Sequence, residues 1–279
     1  MAKRCEWFWP GEDFRVPVDD RGLTFADGAF ETLRVTARGA VLLDRHRDRL
    51  LNTCRLLEIP FTAEDFAHWQ EEAAARGLLD VKQGADRVLR LTVTRGSGGR
   101  GYGRPDETVP RVITTTRQAP PTPQAPVRVQ MCRYPVQVPS HRAGLKTLER
   151  LDQVMASREL RADVFEGLMP DIEGRVVEGT RSNLFLLLSD NNLVTPPAHA
   201  LAVRGTLRDW LISELPGQGY RVREASVSLS MLQRARGVAM VNSVFGVVPV
   251  DEIDGIRLHH DGSLDGIRHW AAKAIGLTT

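Results

Sequence analysis

Apolar and polar positions divide the chain into two stretches of mixed elements. Residues 30–43, FETLRVTARGAVLL, alternate and predict a hairpin turning near Ala37–Gly39. DRHRDRLLNTCRLLEI (44–59) then shifts to helical spacing, with Asp44 as its expected cap and Leu50, Leu51, Cys54 and Leu57 on one face. TAEDFAHWQEEAAARGLL (62–79) predicts a second helix, capped by Thr62 and acidic in its first turn. DRVLRLTVT (86–94) returns to period two, Leu89, Leu91 and Val93 alternating with Arg90, Thr92 and Thr94, and a β-branched strand (VITTT) follows further on.

QAPPTPQAP (118–126) interrupts this pattern and reads as a semi-extended linker, giving a small domain over 1–117 and a larger one over 127–279. Beyond it VRVQMCRY predicts a strand and TLERLDQVMASRELRA (147–162) a helix with Leu148, Leu151, Val154 and Met155 inward. Short strands follow in LMPDIEGRVVE, NLFLLLSDNNLVTP, YRVREA, VAMVN and GVVPV, with helices near GTLRDWLISEL and at LDGIRHWAAKAI. Strands and helices without βαβ regularity indicate an α+β fold.

TRGSGGRGYGR (94–104) contains G-x-G-x-x-G, the form of a dinucleotide-binding loop. That mechanism needs a helix to open directly after the glycines, so that its N-terminal N–H groups meet the phosphates. Here GRPDETVPRVITTT runs instead through a proline turn into a strand, and no G-K-[ST] follows. The loop reads as a tight, glycine-rich hairpin connection, which leaves Arg100 unexplained.

Composition narrows the function classes. A formal net charge of +2, with basic residues scattered, gives no nucleic-acid or membrane footprint, and the expected partner is a small-molecule substrate. Three separated cysteines, Cys5, Cys54 and Cys132, suggest reduced thiols in a cytoplasmic protein. No histidine spacing suits a metal; His259-His260 beside Asp261-Gly262 reads as a polar hairpin. Of the 37 basic residues only Lys3, Lys82, Lys146 and Lys273 are lysines, so every amine nucleophile can be named. Lys146 alone stands at a junction, between an extended segment and a helix.

Glu178, at a strand end in EGRVVEGT, is either a simple strand-end charge or an acid able to pair with a protonated ring nitrogen. Arg49 on a helix, the helix start at Arg204-Gly205-Thr206-Leu207, and Ser243 at a strand break are three possible anion donors. An amine, an acid for a heterocycle and three phosphate donors together form the parts list for pyridoxal 5′-phosphate.

DRGLTFADGAFETLRV, LLDRHRDRLLNTCRLLEIP, GLKTLERLDQV, EGRVVEGTRSNLF and NSVFGVVPV, in that order, resemble the fold-type IV pyridoxal-phosphate enzymes, a family containing branched-chain and D-amino-acid transaminases and 4-amino-4-deoxychorismate lyases. The resemblance runs from about Asp20 to about Val250. It implies a small α/β domain, a larger domain with a pseudo-barrel sheet, and a homodimer. It implies that Lys146 holds the cofactor covalently and shuttles protons, that Glu178 keeps the pyridine nitrogen protonated, and that Arg49, Thr206, Leu207 and Ser243 bind the phosphate. Arg100, with Tyr102 behind it, falls where the family binds a substrate carboxylate, a group that a guanidinium fork suits. Within the family, RGSGGRGY, Phe30 where D-amino-acid transaminases place a tyrosine, Thr32 as a catalytic residue and Asn242 beside the cofactor are similar to the lyases. The implied activity is conversion of 4-amino-4-deoxychorismate to 4-aminobenzoate and pyruvate, with amino-group transfer as the alternative. Arg34 and Arg181 are expected to be structural.

Overall fold

The computed structural model describes residues 4–81, 84–258 and 262–277. Two compact units emerge, Met1–Ala119 with Lys146–Glu149, and Pro120–Leu145 with Arg150–Thr279. The seam therefore falls within the proline-rich segment, but the chain crosses it more than once. Lys146–Glu149 returns to the first unit, where Thr147 forms an isolated antiparallel bridge to Ala29 and the flanking backbone bonds to Gly28 and Phe30, although sequence periodicity predicted part of a helix.

The first unit holds strands β1 (Glu6–Phe8), β2 (Gly28–Thr36), β3 (Gly39–Ala40), β4 (Arg87–Thr94) and β5 (Arg111–Gln118), side by side in the order β1-β5-β4-β2-β3. Pairing is antiparallel except between β1 and β5. The β2–β3 hairpin turns where alternation predicted it, with Val35 opposite Ala40. Helices α1 (Arg21–Phe25), α2 (Leu43–Leu56) and α3 (Ala63–Ala75) complete the unit. Asp44 is not the cap of α2: Leu42, in a left-handed conformation, occupies that position, and Asp44 lies in the first turn, where its charge suits the helix dipole. Thr62 does cap α3, its N–H donating to Asp65 at 2.9 Å.

One face of this sheet is a hydrophobic core. Ala29, Leu33 and Val35 of β2 lie opposite Val93, Leu89 and Arg87 of β4, and the apolar members pack on Leu50 and Cys54 of α2 and Phe66 and Trp69 of α3. Trp69 is fully buried, and its indole N–H donates to Thr114 Oγ1 of β5 at 3.0 Å. Truncating such a residue to alanine costs about 3–5 kcal/mol.

The second unit is built on a sheet of strands β6 (Val127–Met131), β7 (Glu166–Pro170), β8 (Val176–Gly179), β9 (Asn183–Ser189), β10 (Asn192–Thr195), β11 (Arg221–Glu224), β12 (Gly237–Asn242) and β13 (Gly246–Ile253), ordered β11-β10-β9-β12-β13-β6-β7-β8, with β14 (Ile256–Arg257) on β13. Helices α4 (Leu151–Ser157), α5 (Thr206–Glu214), α6 (Leu229–Arg234) and α7 (Asp265–Ile275) accompany it. Helix α4 is shorter than its periodicity predicted, and its apolar stripe is not buried: Leu151 and Val154 are exposed, while Ala156 is buried. Mixed α and β content in two sheets is the α+β arrangement expected of the sequence.

Candidate active site

Strand β2 distributes its side chains by simple alternation. Ala29, Glu31, Leu33 and Val35 face the helices; Phe30, Thr32 and Arg34 face the other way. Glu31 thus places a carboxylate, 1% exposed, inside an apolar face. It is compensated from α2. Arg49 donates to both its oxygens, Nε to Oε1 at 2.8 Å and Nη2 to Oε2 at 2.5 Å, and His46 Nδ1 lies 2.5 Å from Oε2. Burial pushes the Glu31 carboxyl up, but Arg49 and His46 together outweigh it and hold it at about 2. Burial lowers His46, and its Glu31 partner does not fully offset that; facing a carboxylate oxygen, which can only accept, Nδ1 is the donor. Glu31 and His46 escaped the sequence reading because only pairing between strand and helix gives them meaning, Glu31 meeting His46 15 residues on and Arg49 18 residues on.

On the opposite face, Lys146 is delivered by strand pairing. Phe30 N–H donates to Lys146 O at 3.0 Å, Leu148 N–H to Gly28 O at 2.9 Å, and Thr147 bridges Ala29. Gly28 is required for this approach: a Cβ there would stand 2.6 Å from both Val93 O and Leu148 Cδ1. The Lys146 amine lies 4.4 Å from the centre of the Phe30 ring, and the guanidinium of Arg90 lies 3.8 Å from the same centre. Thr32 is cross-strand from Arg90. Arg90 forms no ion pair among the described residues; its side-chain hydrogen bond is to Thr92 Oγ1 at 3.3 Å. The residue keeps contact with solvent, but partial desolvation of its guanidinium, and then the charge of Arg117, make its positive charge costlier than usual. Arg90 is a functional candidate that sequence reasoning missed. In DRVLRLTVT it is only one of the polar residues alternating with Leu89, Leu91 and Val93, and it is indeed exposed.

Arg100 and Tyr102 sit on the excursion between β4 and β5, residues 95–110, which is longer than the tight hairpin the sequence suggested. Both are exposed, Tyr102 at 88%, and the Arg100 guanidinium makes no ion pair among the described residues. Arg34, expected to be structural, is buried against Asp86 at 2.8 Å.

The second unit contains the remaining candidates. Glu178, on β8 and 3% exposed, accepts from Val203 N–H at 3.2 Å and from Gln153 Nε2 at 3.5 Å. Three residues after Val203, Thr206 and Leu207 open α5, where the first-turn N–H groups have no intrahelical acceptor. Gly205 caps this helix, and a Cβ there would collide with Asn183 Oδ1 at 2.0 Å. Ser243 is buried in the turn between β12 and β13. Asn242 shapes that turn: its Oδ1 accepts from Val244 and Phe245 N–H, both at 2.9 Å, and its amide donates to Arg181 O. Arg181 covers the Phe165 ring and donates to Phe165 O at 2.5 Å. Glu166, not singled out by sequence, is fully buried on β7 beneath the turn that follows Glu178. It accepts from Arg181 N–H and the Ser182 hydroxyl, and burial raises its carboxyl above the usual range.

Lys3, Lys82 and His259–Asp261 lie outside the described residues. Among those described, no helix is long and apolar enough to cross a membrane, and no group of three or more His, Cys, Asp or Glu side chains is gathered as a metal would require.

Residues 28–253 match the class IV amino-transferase family, and the chain belongs to it. The enzymes of this family depend on pyridoxal 5′-phosphate. The crystal structure of 4-amino-4-deoxychorismate lyase from Pseudomonas aeruginosa superimposes with a TM-score of 0.85 at 38% identity, covering 94% of this chain and 96% of that one. An aminodeoxychorismate lyase from Vibrio harveyi is 29% identical over 85% of this chain and 87% of its own. A Methanocaldococcus jannaschii protein, designated a branched-chain-amino-acid aminotransferase, is 32% identical over 88% and 84%.

Proposed function

We propose that this chain is a lyase that converts 4-amino-4-deoxychorismate to 4-aminobenzoate and pyruvate. The observation that carries the reading is the Phe30 ring flanked by Lys146 on one contact and by Arg90, a guanidinium with no acid partner among the described residues, on another. Such a face suits a substrate that brings a carboxylate in addition to the group being processed. 4-Amino-4-deoxychorismate carries two, and Arg90 and Arg100 are one candidate for each. The likeness to the Pseudomonas aeruginosa enzyme supports the same choice.

The residues present suit the cofactor. Glu178 is a buried carboxylate fixed by amide donors, as a protonated ring nitrogen needs. The start of α5 at Thr206–Leu207, the Ser243 hydroxyl and Arg49 are donors for a phosphate. When bound, pyridoxal phosphate supplies an electron sink for the charge left on carbon by proton removal. Lys146 Nζ takes the proton from the amine-bearing ring carbon. The C–O bond on the neighbouring carbon then breaks, the ring becomes aromatic, and the departing enolate takes up a proton to become pyruvate. The hydroxyl of Thr32, on the same strand face as Phe30, is our candidate for that proton's delivery.

The test is incubation of the cofactor-loaded protein with 4-amino-4-deoxychorismate and no keto acid. Equal release of pyruvate and 4-aminobenzoate over many turnovers is expected. An aminotransferase would stall after one half-reaction. Turnover only with an amino donor and 2-oxoglutarate would therefore place the chain with its aminotransferase relatives.

A further inference from the structure

The glycine loop and the Asp20-Arg21-Gly22 segment are separate in sequence but form one assembly in the first unit. Gly96, Gly98, Gly99 and Gly101 all have positive φ, between 59° and 111°, so the loop follows a path that side chains with a Cβ rarely take. Such a path leaves carbonyls turned inward, and they converge on one side chain. Arg21 is 5% exposed. Its Nη1 donates to the carbonyls of Gly98, Gly101 and Gly103 at 3.4, 3.3 and 3.1 Å, and its Nη2 to that of Tyr102 at 3.2 Å. Its Nε is anchored on Asp27 at 3.0 Å. The guanidinium lies 5.0 Å from the Phe25 ring centre, and that ring packs against Tyr102 at 5.2 Å. The base is equally fixed. Asp20 accepts from Gly22 N–H at 2.7 Å, Thr94 Oγ1 at 2.9 Å and Arg111 Nη1 at 2.8 Å, while Gly22 lies where a Cβ would meet Thr94 Cγ2 at 2.4 Å.

We propose that Arg21 is a positioning residue that gathers four carbonyls of the glycine loop and so holds Arg100 and Tyr102 in one conformation for binding a substrate carboxylate. This rests on the reading above that Arg100 binds a substrate carboxylate. Lysine cannot replace arginine here, because one ammonium head lacks the planar fork that reaches the loop and Asp27 together. The role is separable from folding. Asp27 keeps a second guanidinium, Arg95, at 2.6 and 3.0 Å, so loss of Arg21 leaves no unpaired buried acid.

The experiment compares wild type, R21A, R21K, R100A and R21A/R100A as cofactor-loaded enzymes. Trypsin cleavage of the Arg100–Gly101 bond and chymotrypsin cleavage of the Tyr102–Gly103 bond report loop order; steady-state kinetics with 4-amino-4-deoxychorismate report recognition. If releasing the loop leaves its binding conformation populated about a tenth of the time, KM rises about tenfold. In R21A both cleavages should accelerate at least to that extent (about tenfold) and kcat should stay within about twofold, because the chemical groups are untouched. R21K should fall between. In the R100A background R21A should raise KM no further, since its effect is exerted through Arg100. Unchanged cleavage in R21A overturns the proposal, as does faster cleavage with an unchanged KM while R100A alone raises it. An R100A enzyme with wild-type KM overturns the reading of the loop, and the proposal with it. That result is distinguishable because cleavage still reports the clamp.

Discussion

Replacing Glu31 by glutamine tests a buried ion pair in the first unit. The carboxylate is 1% exposed and accepts three hydrogen bonds, two from Arg49 and one from His46. Glutamine keeps the shape but has a single acceptor oxygen; its amide nitrogen would face a guanidinium donor. Two routes give the magnitude. Removing one partner of a buried ion pair costs about 3–5 kcal/mol. Holding the carboxyl at about 2 against an ordinary 4.5 corresponds to about 3 kcal/mol at neutral pH. The agreement supports a loss of about 3 kcal/mol and a Tm lower by roughly 6–12 °C.

The pH dependence gives this its signature. A carboxyl depressed in the folded state contributes stability above its unfolded value, and loses it as pH falls through the interval down to the folded value. For Glu31 that interval runs from 4.5 to about 2. Near pH 3.5 about 1.4 kcal/mol of the difference between wild type and variant should be gone. His46 acts from the other side, because its folded value is lowered by burial: proton uptake by the unfolded chain erodes stability below about 6.5 in both proteins, while losing Glu31 changes its share. Urea denaturation of cofactor-free protein from pH 7 to 3.5 measures the difference. A loss under about 1 kcal/mol at pH 7, or a difference that does not shrink on acidification, would refute the reasoning.

Two further outcomes are expected. Cys5, Cys54 and Cys132 are buried thiols that burial, foremost, pushes up to about 12, so a thiolate-specific reagent should leave the native protein essentially unlabelled and modify all three on unfolding; prompt native labelling of any would contradict the packing described. Lys146→Ala should lose the absorbance of covalently held cofactor and at least about a thousandfold in turnover, measured on protein whose melting is checked in parallel; retention of both would remove Lys146 from the mechanism.

Local pattern carried a large share of the fold. The β2–β3 hairpin, α2, α3, β4 and the start of α5 lie where alternation, spacing and glycine placed them. What pattern could not carry was pairing at a distance. Leu148 has helical spacing with Leu151, yet its N–H is taken by Gly28, far away in sequence, and α4 begins only at Leu151. The apolar stripe of α4 predicted burial that Leu151 and Val154 do not have. His46 and Arg90 occupy slots that polar residues fill on any solvent-facing surface; only contact with Glu31, or with the ring beside Lys146, distinguishes them. Arg21 and the glycine loop were each visible, but not as one structure.

Strand β2 also explains why a short motif bears so much of the candidate site. Period-two alternation sends neighbours to opposite faces, so Phe30-Glu31-Thr32 cannot serve one purpose. Phe30 and Thr32 lie on the face where Lys146 and Arg90 meet the Phe30 ring. Glu31 turns inward and fixes Arg49 on α2 from behind. A one-residue slip of β2 against β4 would exchange these faces, placing Phe30 among the core residues and Glu31 beside Lys146. The register is protected at both ends: Gly28 admits the Lys146 segment only by close approach, and the β3 turn pins Val35 to Ala40. Packing of the small unit and placement of its chemical groups are therefore the same constraint, and a substitution that loosens one should be felt in the other.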